Sequence, residues 1–149
     1  MKAVIQRVSE ATVTVDNKII GKINSGLLIL VAFGQNETQE EYNWMIRKIL
    51  SMRIFNDSNG IMNLSINEIN GELLIVSQFT LFADTKKGNR PSYTQALPPN
   101  FAQAEYNKFL EIFKSSTPLK IETGIFGADM KVKLLNDGPV TILLDSKNK

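Results

Sequence analysis

Only two stretches of this sequence carry apolar residues at helical spacing, and most of the rest has the two-residue period or the short apolar runs of β-strands. Two amphipathic helices are too few to cover both faces of a large parallel sheet. The expectation is an α/β fold in one compact domain, residues 1–149, with strand layers packed around the two helices. A length of 149 residues fits one substantial core, and no repeat, linker or low-complexity tract divides the chain.

The first third reads as β-structure. Ala11-Thr12-Val13-Thr14-Val15 alternates residue types and is rich in β-branched side chains. Asp16-Asn17-Lys18 is a turn signal, and Ile19-Ile20-Gly21-Lys22-Ile23 reads as the returning strand of a hairpin. Leu27 to Phe33 is a continuous apolar run, as expected of a strand covered on both faces. Thr38 and Glu41 form a capping box ahead of Tyr42, Met45, Ile46, Ile49 and Leu50, which predicts the first helix. Asp57-Ser58-Asn59-Gly60 is a turn cluster that closes this unit.

Glu72 to Val76 predicts another buried strand, running directly into Ser77-Gln78-Phe79-Thr80. Pro98-Pro99-Asn100 introduces the second helix, with Ala102, Tyr106, Phe109, Leu110 and Phe113 on one face. Three short strand-like segments follow, at Leu119 to Glu122, Met130 to Leu135 and Val140 to Leu144.

Two missing residue types narrow the chemistry. The chain has no cysteine, which removes thiol catalysis, disulfides and thiolate zinc sites. It also has no histidine, so the commonest general base and the usual serine triad are gone. Catalysis must then use hydroxyls, carboxylates, amides, Lys, Arg, backbone groups or the substrate itself, with no metal or cofactor expected. The longest apolar run is too short to span a bilayer, and the N-terminus turns polar before a signal-peptide core forms. A cytosolic, non-membrane protein is expected. The net charge of +2 permits nucleic acid as a partner only if positive charge is gathered locally.

Four features could carry function. Ser77-Gln78-Phe79-Thr80 puts polar groups at the end of an apolar strand, with Gln78 and Thr80 sharing one face by alternation. The Thr80 hydroxyl is a weak nucleophile without a base, and the same residues would equally serve to satisfy nearby backbone groups. Asn136-Asp137-Gly138-Pro139 is a turn signature between two strands, and its Gly138–Pro139 bond can be cis at a cost of about 0.5–1 kcal/mol. Lys86-Lys87-Gly88-Asn89-Arg90 offers cations and a close backbone approach to phosphates, or is simply a solvated loop. Arg7 stands alone among apolar neighbours, where it either clamps a backbone carbonyl or points to solvent.

Taken together, these segments resemble the D-aminoacyl-tRNA deacylase family over nearly the whole chain. The matching pieces are Gln6-Arg7-Val8, Ser77 to Asp84, Lys87-Gly88-Asn89-Arg90-Pro91-Ser92, Thr123 to Met130, and Asn136-Asp137-Gly138-Pro139-Val140-Thr141. Phe82 and Tyr93 each exchange one aromatic type for the other, and Ala32-Phe33-Gly34 replaces the commoner Val-Gly-Val. Neither departure reaches the two signature loops.

The resemblance implies a three-layer β/α/β homodimer that cleaves D-aminoacyl-tRNA, and glycyl-tRNA as an achiral substrate. It implies that a cis Gly138–Pro139 enters the partner's active site, where its carbonyls hold the α-amino group and exclude an L side chain. Arg7 would orient that motif, with Ser77 also in the substrate site. Gln78, Phe79 and Thr80 would form the catalytic region, with backbone N–H groups near Phe79 and Thr80 stabilising an oxyanion, Gln78 holding the substrate or the reacting groups, Thr80 positioning rather than attacking, and the tRNA's terminal 2′-OH assisting. Lys86, Lys87 and Arg90 would meet tRNA phosphates. The rival readings are a non-catalytic RNA-binding module, a small esterase or amidase with Thr80 as nucleophile, and a purely structural oligomer subunit.

Overall fold

The computed structural model describes residues 1–149. The first hairpin is longer than its alternating core: β1 spans Lys2–Val15 and β2 spans Lys18–Ile23. Asp16 and Asn17 turn between them with positive φ, the conformation an asparagine or aspartate tolerates best after glycine. β3, Gly26–Ala32, pairs antiparallel with the first half of β1, from Val8↔Gly26 to Lys2↔Ala32. β2 pairs with the second half of the same edge, and β8, Lys131–Asp145, runs along the opposite edge.

After β3 the chain makes two crossovers. Helix α1, Gln39–Ser51, leads through a small hairpin, β4 (Phe55–Asn56) and β5 (Met62–Leu64), to β6, Glu72–Ser77. Helix α2, Pro99–Ser115, then leads to β7, Ile121–Thr123. β6 lies parallel to β3 and β7 parallel to β6, so the sheet order is β2-β1-β3-β6-β7 with β8 on β1. Parallel crossovers are right-handed, and two that step in the same direction put both helices on the same face.

That asymmetry explains the shape. On the helix side, Leu27, Ile29, Val31, Leu73 and Ile75 pack with Tyr42, Met45, Phe109 and Phe113 in the larger core. The intervening residues Leu28, Leu74 and Val76 need a cover that no helix provides. The sheet supplies it by curling over, bringing Val8, Ala11, Val13 and Ile23 onto them in a second core, with Val132 and Leu134 packed against it. Closure brings β2 against β7: a Cβ at Gly21 would lie 3.0 Å from the Thr123 carbonyl oxygen. The expected strand layers around the helices are therefore revised. The helices lie outside, with Asn43, Arg47 and Lys48 of α1 and Phe101, Lys108 and Lys114 of α2 exposed.

Local signals behave as read in most places. Thr38 caps α1, accepting from the Glu41 N–H at 3.3 Å, while the Glu41 carboxylate accepts from the Thr38 N–H at 2.8 Å. Pro98 and Pro99 open α2. The turn cluster at Asp57 joins β4 to β5, a hairpin the sequence pattern did not signal. The largest correction is at the C-terminal end, where the two expected strands and their turn are one strand, β8. No helix is long and apolar enough to cross a membrane.

Candidate active site at the ends of the parallel strands

The ladder between β3 and β6 ends in a bond from the Gln78 N–H to the Val31 carbonyl, 2.7 Å long. Beyond it the strand does not continue, which corrects the face-sharing inferred by alternation. Phe79–Phe82 forms a 3₁₀ turn, with the Leu81 N–H on the Gln78 carbonyl at 3.2 Å and the Ala83 N–H on the Thr80 carbonyl at 3.0 Å. Gln78 and Thr80 are nevertheless brought together, because the Gln78 Nε2 donates to the Thr80 hydroxyl. The N–H groups of Phe79 and Thr80 donate to no other group of the chain, as the first turn of a helix dictates.

This strand end forms one wall of a cleft of about 760 Å³. Crevices at the carboxyl ends of parallel strands are the usual binding places of open α/β sheets. Ser77, Gln78 and Phe79 line it, facing Tyr93 and Thr94 from the following loop and Phe126 from the segment before β8. Phe79 is 57% exposed, with its ring edge-on to Tyr93 at a centroid distance of 5.0 Å. Behind Phe126 lies Tyr106, whose buried hydroxyl donates to the Ile75 carbonyl at 2.9 Å. Burial pushes its phenol far up, so it stays a neutral donor. Thr80 does not line the cleft but sits behind Gln78.

The basic loop rises from the same neighbourhood. Asp84 and Ser92 close its neck through reciprocal backbone bonds of 2.7 and 2.9 Å. Lys86, Lys87 and Arg90 are all exposed on it, and Gly88 takes a positive φ of 67°. None of the three cations reaches the cleft wall, but Tyr93 and Thr94 begin where the neck ends.

Arg7 and the Gly-Pro segment lie elsewhere. Arg7 is 6% exposed, and it is a clamp: Nη1 donates to the Ile54 carbonyl at 2.6 Å and Nε to the Asp137 carbonyl at 3.2 Å. Asp137 adds its carboxylate at 3.3 Å from Nε. Between Gln6↔Thr141 and Val8↔Asn136, β8 carries residues 137 to 140 opposite the single residue Arg7. Such an insertion bends a strand and takes residues out of the ladder. Asp137, Gly138 and Pro139 are consequently exposed. The Gly138–Pro139 peptide is cis, and Gly138 has a φ of 116°. None of these residues lines the cleft of their own chain.

The family described as D-Tyr-tRNA(Tyr) deacylase matches residues 4–145. The chain belongs to the D-Tyr-tRNA(Tyr) deacylase family. It is 58% identical over 149 residues to a D-aminoacyl-tRNA deacylase of Flavobacterium psychrophilum, covering 100% of this chain and 99% of that one. It is 54% identical over 147 residues to a D-aminoacyl-tRNA deacylase of Thermosipho africanus, covering 99% and 98% of the two chains. Among solved structures, the c-Myc DNA Unwinding Element Binding Protein is 43% identical with a TM-score of 0.92, over 97% of this chain and 98% of that one. A probable eukaryotic D-amino acid tRNA deacylase, 17% identical with a TM-score of 0.81 over 96% and 97% of the chains, shares the fold.

In this deacylase-family chain several cleft residues had no assigned role from sequence. Tyr93 and Phe126 stand in segments that belong to the family's pattern, but neither carries a polar or catalytic signal. Their rings beside a strand end could have marked them as walls. Pro98, Pro99 and Ala102 reach the cleft next to a long-range tie, the Leu97 N–H on the Phe33 carbonyl at 2.9 Å, which no local pattern reveals. No cluster of three or more Asp or Glu side chains is arranged to hold a metal ion.

Proposed function

We propose that this chain hydrolyses the ester bond of D-aminoacyl-tRNA, releasing the free D-amino acid and tRNA, and that it cleaves glycyl-tRNA by the same route. The family membership supports the reaction, and the observation that carries its location is the cleft at Gln78 and Phe79. Two unpartnered N–H groups belong to Phe79, which lines that wall, and to Thr80, which follows it in the chain. They suit an oxyanion, the charge that develops when water adds to an ester carbonyl and the bond to the ribose oxygen breaks.

In this reading the chain positions the ester and the tRNA's terminal 2′-OH assists its cleavage. The sequence holds no histidine or cysteine, and the ionisable side chains on the cleft wall are Tyr93 and Asp129. Asp129 is paired with Lys131 at 2.8 Å. An aminoacyl ester is activated, so orientation with electrostatic help is a sufficient contribution. Thr80 receives a bond from Gln78 and acts as a positioning group.

The selective element is Gly138-Pro139, acting across a homodimer in the partner's cleft. Its exposure, its absence from the cleft of its own chain and the Arg7 clamp beneath it support this arrangement. β8 also leaves one edge unpaired, with Leu135 and Leu143 exposed at 59% and 77%, a surface suited to a second copy. Lys86, Lys87 and Arg90 would meet the phosphates of the acceptor stem. The compartment is the cytoplasm, where charged tRNA is used.

The test is paired deacylation of D-Tyr-tRNA and L-Tyr-tRNA by the purified protein, repeated with tRNA ending in 2′-deoxyadenosine. Fast loss of only the D-ester, abolished by the deoxy substitution, is the expected result. Loss of both esters would remove the chiral role of Gly138-Pro139, and loss of neither would remove the deacylase reading.

A further inference from the structure

The four residues of β8 that stand opposite Arg7 have no ladder partners: the sheet holds only the residues that flank them, Asn136 against Val8 and Thr141 against Gln6. A buried or half-buried backbone group left unpaired costs free energy comparable to that of a missing hydrogen bond. Asn136 is placed to prevent this. Of its two amide orientations, one satisfies every neighbour: Nδ2 donates to the Arg7 carbonyl at 2.9 Å and to the Val140 carbonyl at 3.1 Å. Its Oδ1 then accepts from the Thr141 hydroxyl at 3.0 Å and from the Gln6 Nε2 at 3.2 Å.

An amide presents two donors and two acceptor positions on one planar group, and here all four are used. The side chain ties the last residue of the excursion, Val140, to the strand facing it. Arg7 is held twice, its carbonyl by Asn136 and its guanidinium against Asp137. The stance of Gly138 and Pro139 is thus set from both sides of the strand pair. A larger residue does not fit at Gly138 without displacement, because its φ is 116° and an added Cβ would lie 2.8 Å from Arg7 Nη2 and 3.0 Å from Val140 Cγ2.

We infer that Asn136, supported by Thr141 and Gln6, is a positioning residue for the Gly138-Pro139 element and sets how strictly D-esters are preferred over L-esters. The inference rests on the proposed selective role of Gly138-Pro139. Asn136 is half-buried and all four of its amide bonds go to residues of its own chain, so its effect falls on the geometry of the selective element. Aspartate is no substitute, since a carboxylate has no donors for the two carbonyls.

The experiment is single-turnover deacylation of D-Tyr-tRNA and L-Tyr-tRNA by Asn136→Ala, Asn136→Asp, Thr141→Val, Thr141→Ser and Gln6→Ala, with folding checked by circular dichroism. Asn136→Ala and Asn136→Asp are expected to narrow the ratio of the two rates by about tenfold, with KM for D-Tyr-tRNA within about twofold of the parent. Thr141→Val and Gln6→Ala, each removing one hydrogen bond to Asn136, should narrow it by about two- to threefold, and Thr141→Ser, which keeps the hydroxyl, should restore it.

A folded Asn136→Ala with an unchanged ratio overturns the inference. If that variant does not fold, an unchanged ratio in both Thr141→Val and Gln6→Ala overturns it instead. Gly138→Ala separates the two levels. If it narrows the ratio while the Asn136 variants do not, only the role of Asn136 is lost. If it too leaves the ratio unchanged, the selective role of Gly138-Pro139 fails, and the inference falls with it.

Discussion

Arg7 and Asp137 are joined twice, by a bond of 3.2 Å from Nε to the Asp137 carbonyl and by an approach of 3.3 Å from the same Nε to its carboxylate. The pair links a nearly buried cation on β1 to an exposed segment of β8. A third anchor, the Ile54 carbonyl at 2.6 Å from Nη1, ties both to the start of β4.

Replacing Arg7 therefore tests packing and selectivity at once. Lysine keeps the charge but loses the planar fork that reaches two carbonyls. Arg7→Lys is expected to cost roughly 1–3 kcal/mol of stability, read from urea denaturation, and to reduce the preference for D-Tyr-tRNA over L-Tyr-tRNA. An unchanged midpoint together with an unchanged preference would show that the clamp does neither.

Thr80 distinguishes positioning from nucleophilic attack. Its hydroxyl accepts from Gln78, and no histidine or cysteine exists to activate it. Thr80→Val should lower single-turnover deacylation of D-Tyr-tRNA by up to about a hundredfold while leaving a measurable rate. Complete loss of the reaction with tRNA binding intact would restore the nucleophile.

The loop cations should act on binding. Lys86→Gln, Lys87→Gln and Arg90→Gln together are expected to raise KM with kcat little changed. The slope of log affinity against log salt should fall by about one for each phosphate that is no longer neutralised. A slope identical to the parent's would place the tRNA elsewhere.

Glu41 carries an acid dependence whose sign follows from its surroundings. Burial pushes its carboxyl up, but bonds from Lys147 and Thr38 outweigh this and hold it at about 2. A carboxylate whose pKa is depressed in the folded state stabilises the fold above its unfolded value near 4.5, and that stability is lost as pH falls toward 2. Because Lys147 is half exposed, the contribution is on the order of 2 kcal/mol. Urea midpoints at pH 7 and pH 3 should converge for Glu41→Gln relative to the parent. Parallel losses in both proteins would assign the acid sensitivity to other groups.

Much of this protein is legible in its letters because local physics decides it. The capping box at Thr38 and Glu41, the stripes of α1 and α2, the β1–β2 turn at Asp16-Asn17 and the apolar run of β3 all depend on near neighbours. So does the placing of Gln78 and Thr80 at a strand end, although the 3₁₀ turn there ended the alternation that sequence predicted. The family's motifs likewise pointed to Arg7 and Gly138-Pro139, residues whose letters alone allowed a plain turn and a solvent-facing cation.

Other features exist only in three dimensions. Helices on one face force the sheet to curl and bury Leu28, Leu74 and Val76 beneath β1 and β2, an outcome set by crossover handedness and long-range pairing. The sequence pattern of β8 reads as two strands because Asn136-Asp137-Gly138-Pro139 has turn chemistry, yet β1 pairs on both sides of it and keeps the strand whole. The cleft joins the end of β6 to Tyr93, Ala102 and Phe126, which lie far apart along the chain. Residue types determine which segments are strands, helices and turns; pairing partners and burial, which act between segments distant in sequence, decide where the turn of β8 is aimed and what the cleft contains.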